Sequence, residues 1–320
     1  MNTVLRIATV LVALLPAVAL ASGFPVTVTS CGQPLTFDHA PQRAVINDVN
    51  MAEMAFALRL QPAIVGLTGI TGWYKTTPTF QALRGAIPEL APKYPALENL
   101  LAVHPDFFFA GWNYGMKVGG DVTPPTLARY GIKTLVLSES CIHVDGQQPR
   151  ASMALLYRDI LTLGSIFGKR ELAQQKVSEW QATLDEVAHR IGKRSPLPVF
   201  VYDSGEDKPF TSGKYAMPTA IIEAAGGRNI LDNLPMSWGT VSWETVAASK
   251  PAFIILLDYQ ASGSAATLRR FLESHPLMRV TPAVRQHRYL ALPYQALTPG
   301  PANIDAVRAL ARALYPDAFQ

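Results

Sequence analysis

Short apolar runs alternate with amphipathic stretches along most of the chain. Runs at 44–46, 63–67, 107–110 and 134–137 predict strands, and 50–60, 96–103 and 124–130 predict the helices between them. On 50–60, Met51, Met54, Ala55 and Leu58 share one helical face. The run Phe107, Phe108, Phe109, Ala110 shows no polar alternation, as expected of a parallel strand buried on both faces. The texture changes over 151–194. There Met153, Leu156, Ile160, Leu163 and Phe167 recur at helical spacing, followed by Trp180, Leu184, Val187 and Ile191. Gly164 and Gly168 predict a break between two helices, the second spanning 169–192 and roughly 36 Å long at 1.5 Å per residue. Its other faces are polar, which suits a helix bridging two domains. Strands then return at 199–202, 253–257 and 289–292, with helices at 218–225, 267–274 and 302–315. The fold class expected is α/β, with lobes over 22–168 and 195–320 joined by one long helix within 169–194.

A length of 320 residues agrees with two domains rather than one. With 49% hydrophobic and 16% charged residues, disorder is excluded. A net charge of +4, dispersed and without a basic run, argues against nucleic acid as a partner. The long apolar stretch at 7–21 follows Arg6 and ends in Ala19, Leu20 and Ala21, which reads as a cleaved export signal over 1–21. The mature chain would begin at Ser22, with no Cys at that point to carry a lipid anchor. The expected location is therefore the periplasm. In an oxidising compartment the two cysteines, Cys31 and Cys141, predict a disulfide; a zinc site would need further ligands at short spacing.

Catalytic signatures do not appear. There is no G-x-S-x-G elbow, no G-x-G-x-x-G after a strand and no paired histidine spacing, and the stretch 212–215 lacks the remaining features of a phosphate-binding loop. The aromatics form a pattern instead. Trp73, Tyr74, Trp112 and Tyr114, with Asn113 between the last two, follow strands of the first half. Tyr215, Trp238, Trp243, Tyr259 and Tyr294 hold similar places in the second. Loops at the carboxyl ends of parallel strands form the ligand crevice of α/β sheets, and Trp and Tyr there suit a bulky organic ligand.

The stretch 95–106, with Leu97-Glu98 near its start and Pro105-Asp106 at its end, resembles a segment of the class III periplasmic binding proteins of ABC importers. So do 209–214, 224–230, 241–246 with Glu244, Lys250-Pro251 and, near the start, Pro41, Gln42, Arg43 and Val45. These are receptors for cobalamin, haem and ferric siderophores. The resemblance implies two Rossmann-like lobes with a ligand cleft between them, only a small hinge movement, and no catalysis. It implies a monomer that hands its cargo to a membrane permease and its ATPase, with Glu98 and Glu244 at the lobe tips meeting arginines of the permease. The ligand-binding set expected is Trp73, Tyr74, Trp112, Asn113, Tyr114, Lys117, Tyr215, Trp238, Tyr259 and Tyr294, with no resident metal or cofactor. Lys75, Lys117, Lys214 and Asn113 would meet an anionic chelate, so a ferric siderophore of the pyoverdine type is the first expectation. Cobalamin and then haem follow, with Tyr74, Tyr114, Tyr259 or His143 able to face a haem iron. An exported chelate-processing enzyme is the rival of a different class.

Overall fold

The computed structural model describes residues 23–73, 75–144, 150–259 and 264–320. The expected export segment 1–21 and Tyr74 lie outside the described residues. The chain enters through an antiparallel hairpin, β1 (Val26–Ser30) and β2 (Gln33–Phe37), whose turn holds Cys31 and Gly32 at φ 44° and 76°. Next come β3 (Ala44–Asn47), β4 (Ile64–Thr68), β5 (Glu89–Ala91), β6 (Phe107–Trp112), β7 (Gly115–Met116) and β8 (Lys133–Val136). They form a parallel sheet in the order β5-β4-β3-β6, with β8 beside the first part of β6 and β7 beside its end.

The uninterrupted apolar run of β6 has the predicted explanation. Phe107 and Phe109 enter one core cluster while Phe108 and Ala110 enter another on the opposite face. In the second half, β9 (Leu197–Tyr202), β10 (Phe210–Ser212), β11 (Gly227–Asn229), β12 (Trp238–Thr240), β13 (Phe253–Asp258) and β14 (Tyr289–Pro293) follow. The parallel sheet runs β11-β9-β13-β14, and β10 and β12 pair as an antiparallel ribbon. The same two-residue alternation sends Val199 and Val201 of β9 into the core shared with the first half, and Phe200 and Tyr202 into a separate core.

The helices Met153–Ile166 and Arg170–Ile191 join the halves. Gly168, at φ 64°, turns the chain between them, and Gly164 lets them approach so closely that a β-carbon there would stand 2.5 Å from that of Ala173. The second helix has 22 residues, roughly 33 Å at 1.5 Å per residue. Ala173 and Val177 bury its start, while Ile191 near its end packs beside Gly226 of the second lobe. Cys31 and Cys141 form a disulfide with Cα atoms 5.2 Å apart, joining the hairpin turn to the 3-10 helix Ser138–His143 that follows β8. Ser30 Oγ accepts from Val136 N–H at 3.0 Å beside it. No helix among the described residues is long and apolar enough to cross a membrane.

Candidate functional site

The carboxyl ends of β6, β8, β9, β13 and β14 bound a cleft of about 610 Å³ between the two sheets. Its first wall holds Tyr94, Trp112, Asn113, Tyr114, Glu139, Ser140 and His143, and its second holds Asp203, Phe210, Met236, Trp238, Tyr259 and Tyr294. A tight turn after β6 sets the first wall. Asn113 takes φ 65°, and Gly115 takes φ 102° where a β-carbon would stand 2.5 Å from Asn47 Cγ. Ser140 Oγ accepts from Trp112 N–H at 3.0 Å and donates to Leu137 O at 2.9 Å, locking this turn to the segment after β8.

Two hydrogen-bonded relays cross the floor from lobe to lobe. In the first, the Tyr114 hydroxyl donates to Glu139 Oε1 at 2.9 Å. Glu139 Oε2 then accepts from Met217 N–H at 2.7 Å, at the start of the helix Met217–Ala224 of the other lobe. Burial pushes the Glu139 carboxyl up to about 8, the bonds from Tyr114 and Met217 opposing that only in part. In the second, Asp48 Oδ2 accepts from Lys75 Nζ at 2.8 Å and from the Tyr294 hydroxyl at 3.0 Å. Asp48 Oδ1 meanwhile accepts from Val49 N–H at 2.7 Å, and the residue sits at φ 66°. Lys75 Nζ lies 4.0 Å from the Tyr294 ring centroid and 4.7 Å from that of Trp73. Asn50 Nδ2 donates to Pro299 O at 2.7 Å, adding a further bond between the lobes.

On the second wall the Tyr259 hydroxyl donates to Asp203 Oδ2 at 2.8 Å, and Ser204 Oγ donates to Oδ1 at 2.7 Å. Burial raises the Asp203 carboxyl above its usual range, and these two bonds oppose it. The rings of Tyr259 and Tyr294 lie 5.9 Å apart, so the Asp203 and Asp48 groups share an aromatic partition. His143 is exposed at the rim, 3.3 Å from Asn113 Nδ2, and partial burial lowers its pKa. Among the described residues no three His, Cys, Asp or Glu side chains converge as a metal site requires.

A sequence profile described as "Periplasmic binding protein" matches residues 46–296. The chain belongs to the periplasmic binding protein family. A substrate-binding lipoprotein of an ABC transporter from Bacillus subtilis, YvrC, which is itself uncharacterized, is 22% identical over 93% of this chain and 88% of its own length. A periplasmic binding protein from Veillonella parvula superposes with a TM-score of 0.79 at 24% identity, covering 91% of this chain and 97% of that one. A protein of the ABC-type Fe3+-hydroxamate transport system of Saccharomonospora viridis gives 0.77 at 22% identity, covering 91% and 99%. These likenesses agree with the two-lobed α/β fold.

In this periplasmic binding protein, Trp112, Asn113, Tyr114, Trp238, Tyr259 and Tyr294 of the expected ligand set line the cleft together. Trp73 stands behind the wall, edge-on to Tyr94 at 5.6 Å. Lys117 is exposed, its Nζ 5.3 Å from the Tyr94 ring centroid. Tyr215 does not line the cleft; its ring carries Lys214 Nζ at 5.4 Å and its N–H donates to Met236 O. Lys75, expected as a cation facing a ligand, is buried against Asp48. The aromatic spacing missed Tyr94, Phe210, Glu139 and Asp203. Asp203 follows β9 directly, a position where an acid at a strand's carboxyl end signals a crevice residue. Glu98 and Glu244 are exposed in the first turns of the helices Leu97–Leu101 and Trp243–Ala248. Ser242 Oγ caps the latter by accepting from Thr245 N–H at 3.2 Å.

Proposed function

We propose that this periplasmic binding protein is the substrate-binding component of an ABC importer, capturing an iron–siderophore complex in the cleft and delivering it to an inner-membrane permease and its ATPase. The observation that carries this reading is the cleft itself. It offers about 610 Å³ between two lobes, lined from both sides by the aromatic rings of Tyr94, Trp112, Phe210, Trp238, Tyr259 and Tyr294. That is the volume and surface character of a site for a bulky small molecule. The polar atoms of the floor are bonded to one another, so they shape the site rather than attack a substrate. Ser140, the hydroxyl closest in sequence to His143, is held by Trp112 N–H and Leu137 O. Capture and release, without turnover, is the chemistry this arrangement supports.

Glu98 and Glu244, one exposed glutamate per lobe, are the proposed contacts to the two permease subunits. Export of the mature chain from Ser22 and action as a monomer belong to the same reading. The test is uptake by cells whose own copy of this chain has been deleted, using iron-loaded siderophores, cobalamin and haem in parallel. Loss of uptake of a ferric siderophore, restored by the wild-type chain, is the expected result. Loss confined to cobalamin or haem would replace the ligand, and undiminished uptake of all three would contradict the reading.

A further inference from the structure

The chain carries 28 Lys and Arg, yet among the described residues no Lys or Arg lines the cleft. The acids that do line it are Glu139 and Asp203. The cations beside the walls contact other groups of the protein, and Lys75 and Lys117 do so on rings that themselves line the cleft. Lys75 is buried on Asp48 between the rings of Trp73 and Tyr294. Lys117 rests on the Tyr94 ring, and Lys93 on that of Trp73 at 5.3 Å. Lys214 lies over Tyr215. Arg150 is paired with Glu223 and Asp232. Of the stretches outside the described residues, 145–149 reads Asp-Gly-Gln-Gln-Pro and 260–263 reads Gln-Ala-Ser-Gly, so neither brings a Lys or Arg to the segments after His143 and Tyr259.

An anion entering this cleft would leave water for aromatic rings and two carboxyl groups, with His143 at the rim and no Lys or Arg among the described lining residues to receive it. Desolvating an unpaired charge is strongly unfavourable. Aromatic faces attract neutral or positive groups, because the ring face is the negative part of its quadrupole. We propose that the cleft selects metal chelates without net negative charge, an uncharged or cationic ferric hydroxamate complex being the class that fits, and excludes polyanionic chelates. This rests on the metal-chelate reading above and narrows it: the anionic chelate expected from the loop lysines is replaced by one whose ligand charges are cancelled by the iron. A ferric tris-hydroxamate meets that condition, since three hydroxamates balance Fe3+. A ferric tris-catecholate, at −3, and haem, with two propionates, do not.

The experiment is a fluorescence titration of the mature wild-type protein with ferrichrome (neutral), ferrioxamine B (cationic), a ferric tris-catecholate (trianionic), cobalamin and haem. Binding of the neutral or cationic iron complex at least 100-fold tighter than the trianion is expected. A companion variant, Ser237→Lys, places a cation on the cleft wall and should strengthen binding of the trianion at least tenfold, with circular dichroism and melting confirming its fold. Asp203→Asn should weaken the cationic complex more than the neutral one. Trianion binding equal to or tighter than the neutral complex overturns the charge rule while leaving the metal-chelate reading in place. Binding of cobalamin alone keeps the charge rule and replaces the siderophore. Failure of every chelate to bind overturns both.

Discussion

Glu139→Gln should change how the stability of this protein depends on pH. The carboxyl is buried, and burial raises it from 4.5 to about 8. A raised carboxyl means that the folded state binds the proton more tightly than the unfolded state. Its contribution is therefore fully present below about pH 4.5 and is lost as pH rises through about 8. At 1.36 kcal/mol per pKa unit the interval from 4.5 to about 8 sets a ceiling of roughly 5 kcal/mol. Allowing about a unit for the folded value, the loss between pH 5 and pH 8 is about 2–4 kcal/mol. Asp159 and Glu53, each raised to about 7 by burial, add slopes of the same sign, so the wild type alone cannot isolate Glu139. The variant can. Gln keeps the shape, and the Tyr114 hydroxyl can turn to accept from its amide. Urea unfolding at pH 5, 6, 7 and 8 should show wild-type stability falling with pH more steeply than that of Glu139→Gln, by the amount above. Parallel slopes would refute the raised pKa of the buried Glu139 carboxyl in the inter-lobe relay.

Other substitutions separate wall from scaffold. Tyr114→Ala should cost about 3–5 kcal/mol of stability, since the side chain is buried at 7% exposure and bonded to Glu139, whereas Trp112→Ala, half-buried, should cost much less and act mainly on ligand affinity; thermal melts and titrations read both. Replacing Cys31 and Cys141 together by Ser opens a link across 110 residues and should lower stability by about 2–5 kcal/mol in urea, while the unreduced, unfolded wild type should show no free thiol. Glu98→Ala with Glu244→Ala should leave ligand affinity intact and sharply reduce uptake, because exposed ion pairs mainly orient an encounter; normal uptake by the double variant would remove the docking role.

The large features of the fold were legible because they rest on burial. Strands such as β6 and β13, buried on both faces, cannot tolerate polar residues, so the pattern exposes them. The long helix showed itself through Trp180, Leu184, Val187 and Ile191 against an otherwise polar surface, and of these Val187 and Ile191 are buried. The short antiparallel elements were not legible. The hairpin β1–β2 and the ribbon β10–β12 have only three to five residues a strand, and tertiary contact rather than periodicity fixes them. At the site, residues flanking strand ends could be placed, as with Trp112 and Tyr259. What each would touch could not, because Lys75 with Asp48 and Tyr294 is a contact among three distant segments. The same limit applies to Tyr114, which its loop position marks as a cleft residue and its bond to Glu139 makes part of the floor.

The most direct measurement of the central claim is the equilibrium affinity of a neutral ferric trihydroxamate for wild type, Trp112→Ala and Trp238→Ala, compared under one buffer and temperature. These two indoles face the cleft from opposite lobes. The predicted result is saturable one-to-one binding by the wild type and a loss of about tenfold or more in each variant, with melting temperatures showing both variants folded. Equal affinity in all three proteins would place the ligand elsewhere, and the absence of binding to the wild type would contradict the proposed cargo.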